Sequence, residues 1–110
     1  MLHETIGKIE AQIQSTPALK EENRAELLNL LATLKGEVAR LSKTDAEQAR
    51  SIAGYAEVSA HEATRERKNE TLLQHSVEGL RVSVAGFEES HPRLADIVNR
   101  IATTLSNLGI

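Results

Sequence analysis

The chain has 110 residues, 16 acidic against 13 basic side chains for a formal charge of −3, no cysteine, and only Tyr55 and Phe87 as aromatic residues. This length allows one domain, and the missing cysteine excludes disulfides, thiolate metal sites and cysteine nucleophiles. The acidic balance argues against a nucleic-acid-binding face, and two aromatics cannot build a stacking platform for bases.

Residues 27–34, LLNLLATL, form the longest apolar stretch and contain Asn29. Such a run is far too short to span a bilayer. Residues 1–13 carry charges and no continuous apolar region, which is unlike a signal peptide. A cytoplasmic protein of bacterial type is therefore expected, with no membrane and no nucleic acid among its partners. The apolar content is mainly Leu, Ile, Val and Ala, so the core lacks aromatic bulk. Burial in an oligomer, a homodimer first, is the expected remedy.

Leu2, Ile6, Ile9 and Ile13 recur at spacings of four, three and four, one stripe of a helix over 2–14. Thr16 before Pro17 predicts a cap followed by a first helical position, so the second helix is expected over 17–43. Leu27, Leu31, Leu34, Val38 and Leu41 form its stripe, widened by Leu28 and Leu30 beyond a two-stranded seam. Gly36 interrupts this pattern without ending it. Thr44, Asp45 and Glu47 read as a capping box that opens a third helix over 45–66.

The third segment carries the least usual pattern. Ala46, Ala49, Ala53, Ala56, Ala60 and Ala63 follow one another at three-four-three-four-three. Small side chains along a whole helix line let a neighbouring backbone approach towards the short end of the ~8–10 Å range. The plainer reading is that alanine is the best helix former. Residues 64–71, TRERKNET, are polar on every side, and the next apolar series resumes out of register. That offset predicts a break with Asn69 as the new N-cap.

Leu73, Val77, Leu80, Val84 and Phe87 predict a fourth helix over 70–90. His91-Pro92 is a boundary, because proline disfavours the helical region for the residue before it. Pro92 should open a fifth helix over 92–108, striped by Leu94, Val98, Ile101, Leu105 and Leu108 with Ile97 beside them. Gly109 should supply the left-handed stop. The reading is all-α: four to five helices in antiparallel hairpins, a helix bundle with coiled-coil-like packing. Residues 1–110 form one helical domain, with an N-terminal hairpin at 1–43, an Ala-rich helix at 44–69 and a C-terminal hairpin at 70–110.

The C-terminal half carries Phe87, Glu88, Ser90, His91 and Pro92, then Leu105, Ser106, Asn107, Leu108, Gly109 and Ile110. This resembles a family of small bacterial helical proteins, described as a domain of unknown function, whose members finish F-E-x-S-H-P and then L-[SA]-N-[LM]-G-I. Relative to the shortest members of that family, residues 44–69 look like an insertion. The resemblance implies a small helical protein, makes Phe87, Glu88, Ser90, His91 and Pro92 a structural turn, and brings no catalytic residue.

Four histidines, His3, His61, His75 and His91, are the first candidates for chemistry. HEATR, residues 61–65, nearly matches the zinc-hydrolase pattern, but Arg65 stands where the second ligand is needed and cannot coordinate. Glu88 and His91 have the spacing of di-iron bundles, which require a second such pair. Ser90 and His91 are adjacent without the strand-turn-helix elbow of a nucleophile, so a helix-capping role is expected. The Glu88-Glu89 pair sits at an expected helix C-terminus, where the helix dipole disfavours it. Arg65, Arg67 and Lys68 alternate with Glu62, Glu66 and Glu70, a salt-bridged exposed turn rather than a nucleic-acid patch.

No catalytic, cofactor-binding or metal residue is expected. The leading function is a non-enzymatic, self-associating helical interaction module that binds its own copies or another helical protein, with the Ala seam contributing to the contact. The alternative is a ligand- or metal-binding bundle with its site at a subunit interface.

Overall fold

The computed structural model describes residues 2–108. They form five helices: α1 Leu2–Ser15, α2 Glu21–Leu41, α3 Ala46–Thr64, α4 Glu70–Val82 and α5 Pro92–Leu108. The apolar stripes are what the fold buries. Ile6, Ile9 and Ile13 of α1, Leu27, Leu31, Leu34, Val38 and Leu41 of α2, and Leu94, Val98, Ile101 and Leu105 of α5 all lie in one core. Leu28 and Leu30 pack against it from the side. α2 runs through Gly36 without a break.

Contacts between neighbours fall in residue number on one helix as they rise on the other, the mark of antiparallel packing. Glu10 meets Lys35 while Ile13 meets Arg24. Gln48 meets Ser83 while Tyr55 meets Gly79. Gln74 meets Ser106 while Arg81 meets Thr103. α3 packs against all four other helices, with α1 and α4 on either side of it and the α2–α5 pair behind. The Cα radius of gyration, 12.9 Å, equals the ~13 Å of a compact domain of about 100 residues. The five stripes thus satisfy one another within a single chain.

Three boundaries differ in kind from the sequence expectation, while the ends of α1, α2 and α3 move by one or two residues. α2 begins at Glu21, not Pro17, because residues 17–19 turn to bury Leu19 in the core. Arg24 then reaches back to the carbonyls of Ile13, Gln14, Thr16 and Leu19, at 2.6, 2.9, 3.1 and 3.0 Å. The N-cap of α3 is Asp45, whose carboxylate accepts the Gln48 N–H at 3.1 Å. Thr44 instead donates its hydroxyl to the Leu41 carbonyl, closing the preceding helix, so the Thr44–Glu47 capping box does not form.

The third difference is the largest. α4 stops at Val82 rather than running to Ser90. The Ser83 carbonyl, which a continuing helix would offer to the Phe87 N–H, accepts the Gln48 side-chain amide at 2.6 Å. The Phe87 N–H turns back to the Val84 carbonyl, and Gly86 takes φ +91, a left-handed value that glycine adopts freely. The break before α4 falls where the register offset places it. α3 ends at Thr64, and the Asn69 side chain accepts the Leu72 N–H at 3.0 Å. The stop expected at Gly109 lies outside the described residues.

Candidate functional site

α3 turns one side inward and leaves the other to solvent. Ala49, Ala53, Ala56, Ala60 and Ala63 are buried, together with Ile52 and Ser59 on the same side. Ala46, at the first helical position, is exposed. The helices that cover the buried alanines belong to this same chain. The expectation that copies of the protein meet through the Ala seam is therefore corrected: a side chain already covered by its own fold offers no surface to a second molecule.

The surface that stays open lies beside the seam. Among the described residues the exposed large hydrophobics are Tyr55 (46 %), Val58 (49 %), Leu72 (46 %) and Val82 (60 %), all on the α3–α4 hairpin. Tyr55 and Val58 are one turn apart on α3. Leu72 and Val82 sit either side of Gly79 on the outer edge of α4. The Tyr55 ring lies across Gly79, where an added Cβ would fall 2.5 Å from its Cε1 atom. Glycine at that position therefore makes room for the ring between the two helices. Exposed His75 continues the α4 edge.

Neither pair belongs to the main apolar stripe of its helix. Tyr55 and Val58 fall off the alanine line, and Leu72 and Val82 off the line of Leu73, Val77, Leu80 and Val84. That displacement is the available sequence signal, and a stripe-by-stripe reading passes over it.

The α4–α5 turn is built by the residues of the C-terminal motif. Glu88 accepts the Gly86 N–H at 2.7 Å, which uses a carboxylate that is misplaced only if the helix runs on to Ser90. Phe87 packs against the core, and its ring meets His91 edge-on with centroids 5.7 Å apart. The His91 N–H donates to the Phe87 carbonyl at 2.8 Å, and the His91 carbonyl accepts from Ala95 in the first turn of α5. Ser90 Oγ and His91 Nδ1 are 3.1 Å apart and engage each other. Pro92 opens α5, as expected.

A protein-family model, Domain of unknown function (DUF4404), matches residues 27–110. The chain belongs to the DUF4404 family. The match bears out the resemblance to a domain-of-unknown-function family and runs from within α2 through α3, α4 and α5. No curated protein and no solved structure matches the chain.

In this DUF4404 chain the four histidines lie one each on α1, α3, α4 and the α4–α5 turn. Within HEATR, Glu62 is buried and pairs with Arg65 at 2.9 Å, so the carboxylate is engaged within its own helix end. No group of three or more His, Asp or Glu among the described residues is placed to hold a metal. Of the cluster at 65–68, Lys68 donates to the Leu108 carbonyl at 2.6 Å and ties the α3–α4 link to the end of α5.

Two open grooves of about 490 Å³ each mark the surface. In the groove between α2 and α5, Thr104 donates to Glu26 at 2.8 Å and Arg100 pairs with Asp96 at 3.1 Å, so its polar groups engage one another. The second, at the end of the bundle, is lined by residues 16–20 with Arg65, Glu66 and Lys68; Arg65 pairs with Glu62, and Lys68 binds the Leu108 carbonyl. No described helix is long and apolar enough to cross a membrane.

Sequence reasoning missed a heavily bonded side chain among the described residues. Arg24 is 12 % exposed and gathers four backbone carbonyls around one guanidinium. Nothing in its spacing distinguishes it from the other surface arginines of amphipathic helices.

Proposed function

We propose that this DUF4404 protein acts by contact rather than by catalysis, as a self-associating helical module that presents its α3–α4 hairpin. The observation that carries this reading is the collection of Tyr55, Val58, Leu72 and Val82 on that one hairpin. Single exposed apolar residues are ordinary, but apolar residues gathered on one face mark an interaction surface. The other faces of the bundle carry mixed charges. A net charge of −3 and the scarcity of aromatics speak for a protein partner over a nucleic acid. A cysteine-free chain of this composition suits the cytoplasm.

Sedimentation equilibrium from low to high micromolar concentration tests the reading. The expected result is a reversible dimer, weakened in Val58→Asp and Leu72→Asp variants that keep the wild-type melting temperature. A wild type that stays monomeric throughout overturns it.

A further inference from the structure

Resting on the reading of the protein as self-associating, we infer that the dimer is an antiparallel pair of α3 helices with its two-fold axis at Gly54. The solvent side of α3 has a midline of Glu47, Gly54 and His61, a heptad apart. Arg50 and Glu57 flank it on one side, Ser51 and Val58 on the other. Helices that pack antiparallel about a two-fold axis bring each flank against the same flank of the other copy. With the axis at Gly54, Arg50 faces Glu57 of the second copy, Glu57 faces its Arg50, and Glu47 faces its His61.

Every facing charge has the opposite sign when His61 is protonated, and Arg50–Glu57 does so irrespective of histidine charge. None of Glu47, Arg50, Glu57 and His61 enters an ion pair within the described residues. Their charges are therefore free for a second molecule. On the other flank Val58 meets Ser51, and the partner helix covers the exposed apolar edge that Val58 begins.

Gly54 fits the same geometry. Its φ is not positive, and an added Cβ would meet nothing within 4 Å, so this chain's own fold gives no reason for glycine in mid-helix. A helix crossing at that point gives one, because glycine lets two backbones approach closely. Gly7 and Gly36 are equally open. In the same register His3 would face Glu10 about Gly7, but Glu10 is already paired with Lys35 at 2.7 Å, and about Gly36 Ala32 would face Ala39, with no charge on either residue.

The test uses paired charge reversals in the full chain. Arg50→Glu places two acidic residues opposite each other at both symmetry-related contacts, and Glu57→Arg places two basic ones. Each variant alone should dimerise at least about tenfold more weakly than wild type, since two exposed pairs change from attraction to repulsion. Mixing the two variants should restore wild-type affinity as a heterodimer. In that pairing the Arg50→Glu copy is acidic at both positions and the Glu57→Arg copy basic at both, so opposite charges face each other at both contacts.

The chain has no native cysteine, so Gly54→Cys supplies a single thiol on the axis that should oxidise to a covalent dimer in high yield. A monomeric wild type overturns the self-association on which this geometry rests. A dimeric wild type whose two reversal variants dimerise normally, or whose mixture forms no heterodimer, overturns the geometry alone. Circular dichroism on each variant confirms that the helices are retained, and Gly54→Cys reports on the axis independently of the charge changes.

Discussion

Replacing Arg24 by alanine should unfold the protein more readily than any other single change at a charged residue. The guanidinium donates to the carbonyls of Ile13, Gln14, Thr16 and Leu19, three of which lie in partly buried surroundings. Ile13 and Gln14 are in the last turn of α1, whose final carbonyls find no N–H partner within the helix. Hydrogen bonds from a charged donor contribute about 1.5–3 kcal/mol each when well buried. Water replaces part of this once the side chain is gone, most fully at the exposed Gln14 carbonyl. The expected net loss is about 2–4 kcal/mol, or a fall in melting temperature of roughly 8–16 °C for a chain of this size.

The ion pair of Arg24 with Glu21 cannot account for such a loss. Glu21 is 86 % exposed, and pairs of that kind contribute about 0–1 kcal/mol. Lysine at position 24 keeps the charge but not the planar fork, so it should recover less than half of the stability. Urea denaturation followed by circular dichroism would compare Arg24→Ala, Arg24→Lys and Glu21→Gln. If Arg24→Ala shifts the midpoint no further than Glu21→Gln does, the four-carbonyl tie is not holding the α1–α2 turn.

Leucine at Ala53 or Ala60 should cost ~1–3 kcal/mol per site through overpacking, whereas leucine at exposed Ala46 should be nearly neutral; thermal melts of the three variants decide it. Gly86→Ala should destabilise by about 1–2 kcal/mol, because φ +91 is strained for any side chain even though open space surrounds it. Asparagine there should cost less in the same melts. Asp45→Ala should lose about 1 kcal/mol by removing the cap on the Gln48 N–H, and Glu47→Ala distinctly less, a comparison that separates the observed cap from the capping box. Ser59→Ala should be neutral or stabilising in chemical denaturation, since the fully buried hydroxyl finds no partner among the described residues.

Helicity, the five apolar-striped segments and most of the core are legible in residue spacing alone. They follow from periodicity: Ile6, Ile9 and Ile13, or Leu94, Val98 and Ile101, can share one face only on a helix. Local chemistry likewise marks the start of α4 at Asn69 and of α5 at Pro92, where a cap or a proline acts within a few residues.

Features set by groups distant in the chain became visible only once the helices were packed. α4 ends at Val82, where Gln48, on another helix, takes the Ser83 carbonyl. α2 starts at Glu21 while Leu19 turns into the core and Arg24 binds the carbonyls behind it. The alanine line reads as a close contact in the sequence, but whether it closes within or between chains depends on where the other four helices lie. They lie over it, and this leaves the outer edge of α3 and α4, with Tyr55, Val58, Leu72 and Val82, as the apolar surface facing water. A stripe pattern states which residues prefer burial; it is the packing of whole helices that determines which of them obtain it.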